Sequence, residues 1–251
     1  MKSLKEQFIG HVVGEAIKRA PAGRPPRIMD LGCGTASYVP PLVEQCPNFE
    51  YVGVEPIEDS YTRAKENLAG VPNAKVHFQL AYDSVPEEKE NSFDLVFSLS
   101  VLEHVKDLQS FISLSAKYVR RGGLMVHRYD LGHALHTHSL KEHFHVFMGN
   151  NFPQLLPERQ FVRYVGVPEV EEKFRKAGVT PTDVTYHQMP SHKELEKHFN
   201  DSGTTAVDEL FAWEIKHQKD FKKITEKDRE LLFPAVAVWG EKWDGPHFAR
   251  G

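Results

Sequence analysis

Cysteine is nearly absent from this chain. Only Cys33 and Cys46 occur in 251 residues, and Cys33 stands inside a glycine turn. That excludes a disulfide framework and leads to the expectation of a cytoplasmic protein. No apolar run reaches the ~18 residues of a membrane span, and MKSLKEQFIGHVV lacks the long apolar core of a signal peptide. Basic charge is not in surplus either: 31 Lys and Arg against 35 Asp and Glu leave a net charge of −4. Nothing global draws the chain to nucleic acid or to an anionic membrane. Internal repeats and composition-biased linkers are missing too. The 251 residues therefore read as a single domain, long enough to bury a large core.

What is present alternates. LKEQFIGHVVGEAIKRA spaces Leu4, Phe8, Val12 and Ile17 as an amphipathic helix that ends at PAGRPP. RIMDLGCG, EYVGVEP, AKVHFQLA, SFDLVFSLS and GGLMVHRYD read as five strands. The segments between them, ASYVPPLVEQC, DSYTRAKENLAG and VLEHVKDLQSFISLSAKYV, read as helices, with Pro40 and Pro41 permitting only a first turn or a break. This order predicts βαβ units and a doubly wound, Rossmann-like α/β sheet, mostly parallel, over about residues 25 to 130. Period is lost over residues 131 to 167, which are expected to form an acceptor-side lid. A helix (PEVEEKFRKAGV) and a strand (TPTDVTYHQM) follow. A helical insertion is expected over residues 191 to 230, its stripe of Val207, Leu210, Phe211, Ile215 and Phe221 being packing surface. FPAVAVWGEKW supplies a last strand, expected to be antiparallel.

The chemistry starts at IMDLGCGTAS. Gly32 and Gly34 let the backbone turn tightly and approach a ligand closely. Gly-x-Gly alone also fits nicotinamide dehydrogenases; Asp30 is what separates the two. A dinucleotide site aims helix-terminal amides at a pyrophosphate, which an adjacent carboxylate would repel. A ligand carrying an ammonium and a sulfonium is instead attracted by it. Glu55, 21 residues beyond Gly34, ends the second strand, where an acid accepts hydrogen bonds from ribose hydroxyls.

IMDLGCGTAS, VGVEP, NSFDLVFSLSVLEHV and LSAKYVRRGGLMV, in this order and spacing, resemble a class I S-adenosylmethionine-dependent methyltransferase. The resemblance implies S-adenosylmethionine as methyl donor, with Asp30, Gly32, Cys33 and Gly34 bordering its methionine end. It implies Glu55 at the ribose, Ala81 and Tyr82 near the adenine, and Ser98 facing the methyl group. Many relatives carry an acid where this chain has Ala81.

Six of the 14 histidines crowd into HRYDLGHALHTHSLKEHFH, residues 127 to 145. If the acceptor is a hydroxyl, a base that titrates near pH 7 assists the transfer. His127, ending the fifth strand, and His104, just beyond the fourth, are the candidate catalytic bases, since ligands of open α/β sheets bind outside the carboxyl ends of the strands. The tract matches no zinc spacing, so no metal is expected. Asp130, His133 and Arg163 are candidate acceptor contacts. The expected acceptor is a small polar molecule such as a sugar or glycan-pathway metabolite. RNA or protein methylation, or a non-catalytic cofactor-binding module, stay open as alternatives, and the oligomeric state is not legible.

Overall fold

The computed structural model describes residues 3–80, 82–131, 139–156, 161–189 and 206–243. Seven strands form one sheet: β1 (Arg27–Leu31), β2 (Glu50–Glu55), β3 (Ala74–Phe78), β4 (Phe93–Leu99), β5 (Val119–Asp130), β6 (Val179–His187) and β7 (Ala235–Lys242). Their order across the sheet is β3-β2-β1-β4-β5-β7-β6. The first five run parallel, and β7 inserts antiparallel between β5 and β6. Right-handed crossovers fix this doubly wound arrangement, which is the Rossmann-like α/β fold expected from the alternation. Among the described residues no helix is long and apolar enough to cross a membrane.

Helices cover both faces. α1 (Leu4–Arg19), α2 (Val39–Gln45) and α3 (Glu58–Leu68) lie on one, α4 (Leu108–Tyr118) and α6 (Val167–Lys176) on the other. α5 (Leu140–Asn151) follows β5. α7 (Ala206–Phe221) packs on the α1 side and α8 (Glu226–Leu232) precedes β7. α1 begins with a capping box in which Ser3 and Glu6 exchange hydrogen bonds, satisfying two of the amides that a helix start leaves open. Its buried face is Leu4, Phe8, Ile9, Val12, Val13 and Ala16, whereas Ile17, expected on that face, points outward. Each large apolar side chain buried there contributes about 1.5–3 kcal/mol.

Two elements differ from expectation. The segment expected as one helix from Val101 is a short 3-10 turn at Leu102–His104, then α4 from Leu108, where Asp107 caps the new start by accepting from Ser110 N. α5 arises inside the stretch that shows no period. Ser139 and Glu142 form a second capping box there, while Leu140, Phe144 and Phe147 stay exposed. An outward apolar face gives no amphipathic signal toward the core, which is why the helix escaped the pattern.

β6 is a sheet edge, and α7 seals it. Gln218 accepts from Tyr186 N (2.9 Å) and donates to Tyr186 O (2.8 Å), while Glu214 accepts from Gln188 N (3.0 Å). Covering an edge this way blocks pairing with another chain. Replacing Gln218 by Ala leaves the Tyr186 amide and carbonyl buried without partners, so urea unfolding should show a loss of roughly 2 kcal/mol at unchanged m-value. An unchanged midpoint would mean that α7 does not seal the edge.

Candidate active site

The hinge between β1 and α2 is built by left-handed backbone. Gly32 (φ 81°), Gly34 (φ 58°) and Ala36 (φ 49°) alternate with ordinary residues, so the chain coils tightly against the carboxyl ends of β1 and β2. Gly32 N and Cys33 N both donate to Val54 O, at 2.8 and 3.1 Å. A Cβ at Gly32 would sit 2.6 Å from the Val101 side chain, whereas one at Gly34 would meet nothing within 4 Å. The first glycine serves packing and the second faces open space. Cys33 is buried beneath the turn, and a Cβ on Gly53 would lie 2.7 Å from its Sγ. Glu55 locks the hinge from β2, its Oε2 accepting from Gly34 N (2.8 Å) and its Oε1 from Ile57 N (3.0 Å).

Beside the hinge lies a cavity of about 410 Å3, within the range of small-molecule pockets. Lys5 and Ile9 of α1 wall one side, Asp30 and Gly34 the floor, and Leu99 and Ser100 the end of β4. Asp30 is buried; its Oδ2 accepts from the Tyr38 hydroxyl and, at 3.1 Å, from the Tyr51 hydroxyl. Its Oδ1 has no hydrogen-bond partner. Burial pushes the Asp30 carboxyl up to about 7, Glu55 adding to the rise while Tyr38, Tyr51 and Lys5 oppose it. A buried acid with one oxygen lacking a partner is a group that a nearby cation would stabilise. Tyr38 and Tyr51 were not singled out by sequence, although the alternation Tyr51, Gly53, Glu55 on one face of β2 carried the signal.

The expected cofactor residues divide. Asp30, Gly32, Cys33 and Gly34 line the cavity, and Glu55 is bound to its floor. Tyr82 accepts from Lys106 N at 3.1 Å, tying the loop after β3 to the turn after β4. Ala81 lies outside the described residues. The structure corrects the placement of Ser98. It is fully buried on the opposite face, its Oγ 2.8 Å from His127 Nδ1, and the next residues, Leu99 and Ser100, border the cavity instead.

His127 moves with it. Its ring lies in the core between Phe111 and Phe174, at centroid distances of 5.4 and 5.6 Å, with no solvent exposure. Burial holds its pKa down at about 3, so it is neutral throughout the physiological range. A base needs access to the proton it removes, and this ring has none. His104 is half-buried in the 3-10 turn with Nδ1 3.0 Å from Phe161 O. A carbonyl only accepts, so Nδ1 carries the hydrogen and Nε2 the lone pair.

Around that turn the segment after α5 is stitched down: Arg163 N donates to Glu103 O (3.0 Å) and Lys106 Nζ to Leu156 O. The Arg163 guanidinium is not open to an acceptor, because Glu169 holds it through two bonds of 3.0 and 2.9 Å. Asp130 ends β5 half-buried, its N–H donating to Glu103 Oε1 at 3.3 Å. Burial chiefly, with the charge of Asp130, raises the Glu103 carboxyl to about 7. His133, His136 and His138 lie outside the described residues; among the described ones no three His, Cys, Asp or Glu side chains converge as a metal site.

Comparison with known proteins agrees with this geometry. Residues 29–125 match the family model of a methyltransferase domain. Over 184 residues the chain is 27% identical to a ubiquinone biosynthesis O-methyltransferase of Sinorhizobium medicae, 71% of each. A protein of the same name from Agrobacterium fabrum is 26% identical over 204 residues, 77% of this chain and 76% of the relative. Phosphoethanolamine N-methyltransferase 2 of Haemonchus contortus, solved with S-adenosyl-L-methionine, superposes with a TM-score of 0.59 at 18% identity, over 93% of this chain and 52% of that one. Geranyl diphosphate C-methyltransferase of Streptomyces coelicolor gives 0.58 at 12% identity, over 94% and 77%. Residues 29–125 thus match a methyltransferase domain, and the sheet order and hinge give the chain the fold of S-adenosylmethionine-dependent methyltransferases.

The buried acids set a pH dependence. In the unfolded chain a carboxyl titrates near ~4, so Asp30 and Glu103 bind protons more tightly when folded. Their contribution is full below about pH 4 and is lost as pH rises to about 7. The ligand-free protein should therefore lose stability between about pH 4 and 7. Asp30→Asn, which keeps an acceptor for Tyr38 and Tyr51, should flatten that loss in urea titrations. Identical slopes for the two proteins would contradict the Asp30 assignment.

Proposed function

We propose that the chain transfers the methyl group of S-adenosylmethionine to a hydroxyl oxygen of a small acceptor. One observation carries the donor half: Asp30, a buried acid whose Oδ1 has no hydrogen-bond partner, borders the hinge cavity, where the ammonium of the donor's methionine arm would neutralise it. Asp30 and Gly34 would hold that arm in the cavity beside the carboxyl ends of β1 and β4. The O-methyltransferase relatives support oxygen as the methylated atom. The fold does not choose it, since its structural neighbours include N- and C-methyltransferases. The sugar or glycan acceptor expected from sequence finds no support in these relatives, and Arg163, expected to read it, is engaged by Glu169.

His104 is the proposed base. Phe161 O fixes its tautomer with the lone pair on Nε2, and the turn that carries it lies directly beyond the cavity wall at Ser100. Holding the acceptor oxygen in line with the sulfonium methyl is the larger part of catalysis; a base then contributes about 10²–10⁴-fold. Residues 131 to 167 are proposed as the acceptor-side lid, with Leu156 and Arg163 tied to that turn.

The donor reading is tested by calorimetry with S-adenosylhomocysteine. Wild-type protein should bind, and Asp30→Ala should lose at least about tenfold in affinity; absence of wild-type binding would remove the donor reading. The acceptor reading is tested with radiolabelled donor against hydroxylated small molecules. His104→Ala should lower turnover about a hundredfold or more with unchanged homocysteine-product affinity. His127→Ala should cost about 2–4 kcal/mol of stability by leaving a core cavity, yet leave turnover per folded molecule intact. The reverse outcome would restore His127 as base.

A further inference from the structure

α5 is docked to the rest of the molecule through its smallest residue. A Cβ at Gly149 would run into the Val162 carbonyl, so the helix lies directly against the chain there. Asn150 Oδ1 accepts from Tyr164 N at 3.1 Å and fixes the contact. By helical periodicity, Leu140, Phe144 and Phe147 project roughly 140–180° away from Gly149. They point to solvent: Leu140 is 89% exposed, and Phe144 and Phe147 are each more than half exposed.

The apolar stripe does not stop at the helix end. The Phe147 and Phe152 rings lie 6.1 Å apart, and Leu155, 66% exposed, follows in the 3-10 turn Pro153–Leu155. Asn151, the polar position on this face, donates to Phe147 O at 2.8 Å, so its amide is occupied within its own helix. Together these side chains form one patch of roughly 500 Å2, at the upper end of what a soluble monomer exposes.

Charge discriminates between the covers such a patch could take. A helix lying on an anionic membrane carries Lys and Arg along its polar face. The permanent charges of α5 are Lys141 and Glu142, which cancel, and the whole chain has a net charge of −4. A lipid surface is a poor match, whereas a neutral apolar patch suits another of its kind. The stripe is also complementary to itself. Laid antiparallel on a second α5, it sets Phe144 against Phe147 of the second copy and Leu140 against Phe152, the same contacts recurring across a two-fold axis. Two such patches bury about 1,000 Å2 in all, the lower limit for a specific interface, so the pair is a dissociable one. We propose that two copies of this chain associate through α5, antiparallel about a two-fold axis, burying Leu140, Phe144, Phe147, Phe152 and Leu155. The inference stands independently of the donor and base assignments.

Sedimentation velocity tests it over about 1 to 100 μM chain, where an interface of this size dissociates. Wild-type protein should pass from 28.6 kDa toward twice that mass. Phe144→Lys and Phe147→Glu, both at outward positions, should keep the circular-dichroism spectrum and urea midpoint of wild type. Each alone should weaken association by about tenfold or more. An equimolar mixture of the two should associate more tightly than either alone. Antiparallel pairing sets their opposite charges against each other and leaves the second Phe144–Phe147 contact intact. Wild-type protein that stays at 28.6 kDa throughout, or a dimer that both variants leave intact, would overturn the proposal. A mixture no tighter than the single variants would overturn the antiparallel pairing. Wild-type monomers that float with phosphatidylcholine–phosphatidylglycerol vesicles, and lose that property in Phe144→Lys, would assign the patch to a lipid surface instead.

Discussion

A carboxylate held out of water at the point where the backbone turns is the constraint around which this molecule is arranged. Asp30 lies in the fully buried stretch of β1, and among the described residues no ion pair neutralises it. Two tyrosine hydroxyls share one of its oxygens, Tyr38 reaching back from the start of α2 and Tyr51 across from β2. Hydroxyls moderate the cost of burial without cancelling the charge. The left-handed residues of the hinge bring α2 close enough for Tyr38 to reach, and Gly53 leaves room for Cys33 beneath them. Asp30 borders a cavity that would favour a cationic ligand and repel a pyrophosphate.

The same burial that makes the sheet stable hid part of its site from the sequence. β4 is buried at every position, so no alternation shows which residues face which layer. Ser98 and His127, paired in register across β4 and β5, both face α4 and α6; Leu99 and Arg128, the next register pair, face the α1 layer. Reading the strands one residue out of phase moved two expected site residues into the core and concealed Arg128. In a half-exposed strand the polar positions would have given the phase away. In a parallel strand covered on both sides only tertiary contacts decide it.

What composition and spacing determine by themselves was legible. The mostly parallel doubly wound sheet, the hinge and Glu55 follow from βαβ alternation and glycine chemistry, because those are local requirements of the chain, whereas the insertion of β7 between β5 and β6 is visible only in the fold. The residues that complete the site are not local. Lys5 arrives on α1, Tyr51 from a neighbouring strand and Phe161, which sets the His104 tautomer, from beyond the segment that follows β5. Arg163 was legible as an arginine near the acceptor side, but its partner Glu169 opens the next helix, and only the fold shows that the pair is closed.

The two ends of the sheet show how structural and functional charges differ. At the amino end Asp94 is as buried as Asp30, yet Arg24 at 2.7 Å, Arg27 N at 2.8 Å and Arg120 at 2.5 Å surround it. Burial alone would raise that carboxyl; these partners hold it below its usual range, and the acid is permanently ionised. At the carboxyl end Asp30 and Glu103 are raised, and Lys5 and Arg128 are lowered. Every one of these groups is in a state that a charge of opposite sign would relieve. A chain under selection for stability alone would surround Asp30 with cations as it does Asp94, or replace it with an apolar residue of similar volume. Asp30 borders the hinge cavity with one oxygen lacking a partner, so a cationic ligand there would relieve the cost of its burial as the arginines relieve that of Asp94.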